Sequence, residues 1–157
     1  MSAMSQIANL LDELKRIHNG GAWHGPALRE ALAGVTAEQA TMRPVPGAHS
    51  IWELVLHLAA WEKVIGRRLE GQRADEPEEG DFPAAAGATE EAWAQALAQL
   101  ESAHERLLGL VIGLTDADLE RVVVGKGYSS GFMLRGAVNH TAYHAGQIGL
   151  LKKALRP

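Results

Sequence analysis

The sequence contains no cysteine among its 157 residues. This absence excludes a disulfide framework, a zinc knuckle and a cysteine nucleophile. Any reactive thiol that the protein uses must therefore come from another molecule. A chain of this length, with 46% hydrophobic residues, can bury the core of one ordinary domain. We expect a single domain over residues 1–157.

The sequence also lacks an excess of basic residues and a long apolar run. Its net charge of −4 comes from charges of both signs spread along the chain, so nucleic acid is not expected as a direct ligand. The first sixteen residues, MSAMSQIANLLDELKR, carry charges where a signal peptide needs an unbroken apolar stretch. No later run reaches membrane-spanning length. We expect a soluble, cytoplasmic protein that does not bind a membrane.

Apolar residues recur at helical spacing in four segments and predict four main helices. These helices are expected over residues 5–18, 50–69, 89–112 and 130–155. Ser50 and Glu53 have the spacing of a capping box and mark the start of the second helix. A shorter helical piece after Pro26 runs to Leu32 and is expected to continue the first helix after a break. The segment LTDADLE predicts one further helical turn.

The connection between the second and third helices is unusually long. Residues 71–88, GQRADEPEEGDFPAAAGA, are acidic and rich in proline, glycine and alanine, without helical or strand periodicity. A link of this length can carry the chain from one end of a bundle to the other, which predicts that helices two and three run parallel. The segment RVVVGKGYSSG allows a short extended loop but no sheet. The sequence therefore predicts an all-α four-helix bundle.

Three histidines occupy positions that the helical pattern reserves for apolar residues. His57 lies on the inward stripe of helix two, and His140 and His144 lie one turn apart on the inward stripe of helix four. An imidazole buried without a hydrogen-bond partner costs about 1 to 3 kcal/mol, so these residues need a shared partner or a solvent-lined cavity. If helices two and four are neighbours, the three nitrogens form the kind of site that catalytic zinc uses. The alternative is that they are core or cavity histidines.

Several other residues are candidates for a role near these histidines. His104 lies on the inward stripe of helix three and is a candidate ligand or hydrogen-bond donor to a ligand. Glu53 is a candidate general base, although the capping box also explains it. The candidates for lining a pocket are Trp61, Tyr143 and Gln147. The remaining histidines, His18, His24 and His49, are expected at the surface or at the rim. The four tryptophans are expected to lie mostly in the core.

Three segments of the sequence resemble the DinB superfamily of DinB/YfiT-like metalloenzymes. They are AWHGPALREAL, PGAHSIWELVLHLAAWE and NHTAYHAGQIGLLKK, in that order. The resemblance implies a four-helix bundle with an unusual connectivity, commonly dimeric. It also implies a divalent metal, usually zinc or nickel, held by His57, His140 and His144. Some members resemble transferases or isomerases that use a low-molecular-mass thiol such as bacillithiol or mycothiol.

These observations leave three kinds of function open. The first is a metal-dependent enzyme, either a hydrolase that activates water or a transferase that uses an external thiol. The second is a non-catalytic protein that binds a metal or a small ligand in sensing, storage or a stress response. The third is a helical interaction module with structural histidines. A general base near the metal would favour catalysis, and the sequence offers only Glu53 and His104 for that role.

Overall fold

The computed structural model describes residues 5–155, and these residues form an all-α structure. The helices are α1 (Gln6–Asn19), α2 (Leu28–Leu32), α3 (Ala37–Thr41), α4 (Ile51–Leu69), α5 (Glu90–Ile112), a 3-10 helix (Asp116–Glu120) and α6 (Ser130–Ala154). No helix in this part of the chain is both long enough and apolar enough to cross a membrane. The sequence predicts that the first sixteen residues are not a signal peptide. Residues 1–4 of this segment lie outside the described range.

Helix α4 lies at the centre of the molecule and is buried on most of its circumference. It begins where Ser50 and Glu53 form the predicted capping box. The Ser50 hydroxyl accepts a hydrogen bond from the Glu53 amide, and the Glu53 carboxylate accepts one from the Ser50 amide. Two of the buried residues of α4, Glu62 and Arg68, are charged. The helix therefore brings polar side chains into the interior, where they need partners from neighbouring helices.

The contacts between α4 and its two long neighbours establish their directions. Along α4 and α5, Trp52 lies against Trp93, Glu62 against His104 and Glu70 against Arg106, so these helices run parallel. Parallel packing agrees with the direction expected from a long connection. Along α6 the order is reversed. His57 contacts His144, whereas Arg68 contacts Tyr128 just before α6 begins.

Residues 70–89 contain no helix or strand and fold back along α4. Arg68 donates to the Ala74 carbonyl, Arg67 contacts Glu78, and Lys63 contacts Glu79. The segment then reaches the side chain of His57 with the backbone carbonyl of Asp81. It is thus an ordered strap along α4. The strap carries its own residues to the face that α4 shares with α6.

The interior contains two apolar clusters with a polar layer between them. On α4 the first cluster ends at Ala59 and the second begins at Ile65. On α6 the first cluster contains Ala145 and the second contains Ala137. The buried or half-buried polar residues between the clusters are Glu62, His104, His140, Thr141 and His144. The candidate functional residues of this protein lie in or beside this layer.

Three details differ from the expectations. The piece after Pro26 does not continue α1 but is the separate helix α2. Gly21, which follows the end of α1, adopts a φ of +79°, so the chain changes direction there. Helix α3 was not predicted, since five residues are too few to show a periodicity. The valine-rich segment agrees with the expected short extended loop, since it forms only an isolated antiparallel bridge, Val122 with Ser129. Trp52 and Trp93 are buried as expected, but Trp23 is fully exposed.

Candidate metal centre

Helices α4 and α6 bring His57, His140 and His144 together. The Nε2 atom of His140 lies 2.9 Å from Nε2 of His57 and 3.0 Å from Nε2 of His144. The three ring planes cross at 61° to 85°. His57 and His144 are buried, and His140 is half-buried. The same ring nitrogen of each residue therefore points to one common position from a different direction.

The outer nitrogens of two of these histidines are held by acceptors. Nδ1 of His57 lies 2.6 Å from the backbone carbonyl of Asp81 and 3.2 Å from its carboxylate. Since a carbonyl oxygen only accepts, this Nδ1 carries the proton. Nδ1 of His144 lies 2.6 Å from Oε1 of Gln147 and donates to it in the same way. In their neutral forms, both rings direct the lone pair of Nε2 towards His140.

The environment keeps His140 and His144 uncharged. Burial, together with the nearby His144 and His57, lowers the pKa of His140 from 6.5 to about 4. Burial also lowers the pKa of His144, against the hydrogen bond that His144 donates to Gln147, which raises it. Neutral imidazoles are the form that binds a transition metal. His140 and His144 are therefore already in their metal-binding form at neutral pH.

This arrangement fits a metal ion better than it fits a set of hydrogen bonds. A neutral His140 has one N–H, which cannot fully satisfy two lone pairs that converge on the same atom. Three imidazole ligands about 2.1 Å from a tetrahedral ion lie about 3.4 Å apart, so the rings need to separate by only a few tenths of an ångström. Nitrogen donors of this kind favour zinc, nickel and similar ions over calcium and magnesium.

Two cavities flank the three histidines. The first, of about 410 Å³, is lined by His144, Gln147, Tyr143, His49 and Phe82, among mainly apolar residues. The second, of about 330 Å³, lies beside His140 and is lined by residues that include Trp61, Tyr128 and Phe132. Both volumes suit a small organic molecule. The expected pocket residues Trp61, Tyr143 and Gln147 thus all line a cavity next to the cluster.

The strap contributes two residues that the sequence did not single out. Asp81 accepts a hydrogen bond from the Trp61 indole with the same carboxylate oxygen that lies near His57. Phe82 stacks on His57 with ring centroids 4.1 Å apart and on His49 with centroids 3.6 Å apart. No periodic pattern marks either residue, because both lie in an irregular segment. Their roles arise only from the path of the strap.

The other candidates lie in different places. Glu53 forms the capping box, contacts Arg43 and lies 3.5 Å from Nδ1 of His49. His104 does not join the three histidines but contacts Glu62 on another side of α4. His24 is exposed, and His49 lines the rim of the first cavity, as expected. The expectation for His18 was wrong, since its side chain is completely buried against α5. The apolar spacing of α1 continues through this residue.

The fold and the site define an all-α protein with a buried cluster of three histidines that can hold a metal ion. The family model of the DinB superfamily matches residues 21–148, which include most of the described chain and all three histidines. The chain therefore belongs to the DinB superfamily. Comparisons with curated proteins and with solved structures found no match.

Proposed function

We propose that His57, His140 and His144 bind one divalent transition metal ion, zinc or nickel, and that the protein is a metal-dependent enzyme. The observation that carries this proposal is the convergence of three Nε2 atoms while the Nδ1 atoms of two of the rings donate to fixed acceptors. Family membership supports the same ligand set, because the match spans all three residues.

The reaction that we propose is hydrolysis of a small molecule, or a transfer in which a thiol displaces a leaving group from a small molecule. A divalent metal in this position supplies Lewis-acid chemistry that activates water or a thiol near neutral pH. The residues of the chain hold the three ligands in place, while the cavities beside His144 and His140 offer room for one or two organic reactants. Since the sequence has no cysteine, a transferred thiol has to be a separate molecule.

One observation favours a second function, in which the protein binds a metal or small ligand without catalysis. The carboxylate of Glu53, a candidate general base, is engaged by the Ser50 amide and the Arg43 guanidinium. His104 is also engaged, by Glu62. Neither residue is therefore free to accept a proton from a reactant, so catalysis has to rely on the metal or on groups that line the cavities.

We also propose that the four long helices, α1, α4, α5 and α6, form a DinB-type bundle and that the protein is a homodimer. Phe132, Tyr143 and Leu150 on α6 are each 64% exposed, although they are large and apolar. Their spacing places them on one side of the helix, together with the exposed Gly136. A second copy of the chain would cover this stripe.

Metal analysis of protein purified without a histidine tag tests the metal site. After loading with zinc or nickel and removal of the excess, we expect about one ion per chain. The variants His57→Ala, His140→Ala and His144→Ala should each lose most of it, because each removes one of three ligands. His24→Ala, which changes an exposed histidine, is the matched control. A stoichiometry near zero for the unchanged protein would falsify the proposed site.

Two further measurements separate the proposed activities. Loading with cobalt(II) and adding a small thiol should produce an intense sulfur-to-cobalt absorption band if thiols enter the site. Metal-dependent hydrolysis of an activated ester, 4-nitrophenyl acetate, would support the hydrolase. A protein that binds one metal but shows neither response would favour the non-catalytic function.

A further inference from the structure

A second group of titratable side chains lies in the interior, away from the three histidines. His18 of α1, Glu62 of α4 and His104 of α5 expose only 0%, 6% and 3% of their surface. Nδ1 of His104 lies 3.0 Å from Glu62, and Nε2 of His18 lies 3.2 Å from Glu101. The two imidazoles stack face to face, with centroids 3.8 Å apart and planes 7° from parallel.

The parallel rings argue against a second metal site, even though these residues lie close enough together to form one. A metal ion binds an imidazole nitrogen along its lone pair, which lies in the plane of the ring. Two stacked parallel planes do not meet, so one ion cannot lie in both. The rings of His57, His140 and His144 instead cross at steep angles, which allows their lone pairs to converge.

Burial makes it unfavourable to add a proton to His18 and to remove one from Glu62. Burial, together with the stacked His104, lowers the pKa of His18 from 6.5 to about 4. Burial also raises the pKa of Glu62. Among the described residues, Nδ1 of His18, Nε2 of His104 and Oε2 of Glu62 have no hydrogen-bond partner, so a proton added to Nδ1 of His18 has no acceptor.

The charged groups around the stacked rings do not offset the cost of a positive charge on His18. Glu62 faces the pair from α4, and Glu101 faces His18 from α5. Arg29 of α2 lies 3.4 Å from Glu101 and offsets its negative charge. Protonation of His18 would therefore place a positive charge against the face of His104 in a closed interior.

We propose that the stacked pair His18 and His104 is an acid-sensitive latch that holds the end of α1 against α5 and releases it when His18 binds a proton. His18 is in the last turn of α1, which ends at Asn19. Gly20 and Gly21 follow with φ angles of +145° and +79°, a conformation that glycine adopts freely. These glycines provide a point where the last turn can move without strain in the rest of the chain.

The direction of the pH effect follows from the two states of His18. In the open state the imidazole is in water and has its ordinary affinity for a proton, whereas in the closed state its pKa is about 4. The open state therefore binds the proton more tightly, and acid favours opening. The open population should rise by up to about tenfold per pH unit below 6.5, by about 150-fold at pH 4 and by about 300-fold in total well below pH 4.

Hydrogen exchange of the metal-free protein between pH 7 and pH 4 tests the latch. After correction for the intrinsic pH dependence of exchange, the protection of residues 14–19 should fall with the opening of α1. Residues 107–111 of α5, which contain no titratable side chain, serve as the internal reference. His18→Gln removes the titrating ring and should abolish the fall. His24→Gln changes an exposed histidine beyond the glycines and should retain it.

The NMR titration of the imidazole of His18 in the unchanged protein gives an independent readout that needs no variant. We expect its protonation to coincide with the loss of protection in α1. The proposal would be wrong if His18 titrates near pH 6.5 while α1 stays protected, if protection does not change with pH, or if His18→Gln shows the same fall. These outcomes do not depend on metal binding by His57, His140 and His144.

Discussion

Individual histidines in this protein have different roles because their surroundings differ. His57 and His144 each have one nitrogen fixed by an oxygen acceptor and the other directed at His140. His18 and His104 lie in the same interior, but their parallel rings cannot share an ion. A buried histidine is thus not by itself evidence of a metal site. The crossing angle of the rings and the partners of the outer nitrogens distinguish the two groups.

The first prediction concerns Asp81, which contacts both His57 and Trp61. Asp81→Ala should weaken metal binding by about 10- to 100-fold, because a carboxylate beside a ligand histidine orients the ring and raises its basicity. Competition with a chromophoric chelator measures the affinity. The backbone carbonyl of residue 81 remains in the variant, so the loss should be smaller than in His57→Ala.

Asp75→Ala is the matched control for this measurement. Asp75 lies in the same strap but pairs with Arg73 and Lys126 rather than with a histidine. Its removal should leave the metal affinity nearly unchanged. Equal losses in both variants would show that the strap acts only through its general fold and that the carboxylate of Asp81 has no specific effect.

Among the elements, α4 determines the position of His57, and its N-terminus is fixed by the capping box. Ser50→Ala removes the side-chain acceptor for the Glu53 amide and should lower the free energy of unfolding by about 0.5 to 2 kcal/mol. Urea denaturation measures the change. Ser102→Ala, at an exposed position within α5, should be neutral or slightly stabilising, because alanine is the better helix former there.

Glu53, the acidic residue of the same capping box, predicts that the free energy of unfolding depends on pH. Burial alone would raise the pKa of Glu53, but the Ser50 amide, Arg43 and the Ser50 hydroxyl lower it below 4.5 overall. The unfolded chain therefore binds the proton more readily, and the ionised carboxylate stabilises the fold above pH 4.5. This contribution should disappear as the pH falls through the lowered pKa.

The variant Glu53→Gln, which removes the charge but keeps an acceptor oxygen, isolates this contribution. Its deficit in the free energy of unfolding should be largest at neutral pH and should shrink as the pH falls through the lowered pKa of Glu53. Urea denaturation at a series of pH values gives the comparison. A deficit that stays constant with pH would show that the charge of Glu53 does not matter for α4.

For the whole molecule, we expect folding to be independent of metal but metal to stabilise the folded state. The two apolar clusters provide a core that a zinc finger lacks. Free metal at a hundredfold excess over Kd should add about 2.7 kcal/mol, which corresponds to about 5 to 11 °C in Tm. Thermal melts of the apo and metal-loaded protein check this, and His57→Ala should lose the increase. An apo protein without a cooperative melt would mean that the metal is structural.

The exposed apolar stripe of α6 leads to a prediction about assembly. We expect a homodimer at micromolar concentration, since Phe132, Tyr143 and Leu150 would otherwise remain in contact with water. Light scattering of the unchanged protein gives the mass. Phe132→Lys should shift the protein to monomer without unfolding it, whereas Val124→Lys, at a half-exposed valine outside α6, should leave the dimer intact. A monomeric unchanged protein would refute the dimer alone.

Sequence reasoning found most of the helices and the three convergent histidines because both depend on periodicity. The apolar spacing fixes which side of α4 and α6 faces inward, and His57, His140 and His144 interrupt that spacing. Short or irregular segments carry no such signal. Helix α3 and the residues Asp81 and Phe82 were therefore not identified.

The amino-acid sequence by itself determined the all-α class, the starts of the long helices and the placement of histidines on inward faces, since each of these is set within a few turns of the chain. The tertiary structure decided which buried groups meet. It separated His104 from the three histidines, buried His18 beside it, and laid the strap so that Asp81 reaches His57. These contacts join residues that are far apart in the chain, and only the packing directions of whole helices bring them together.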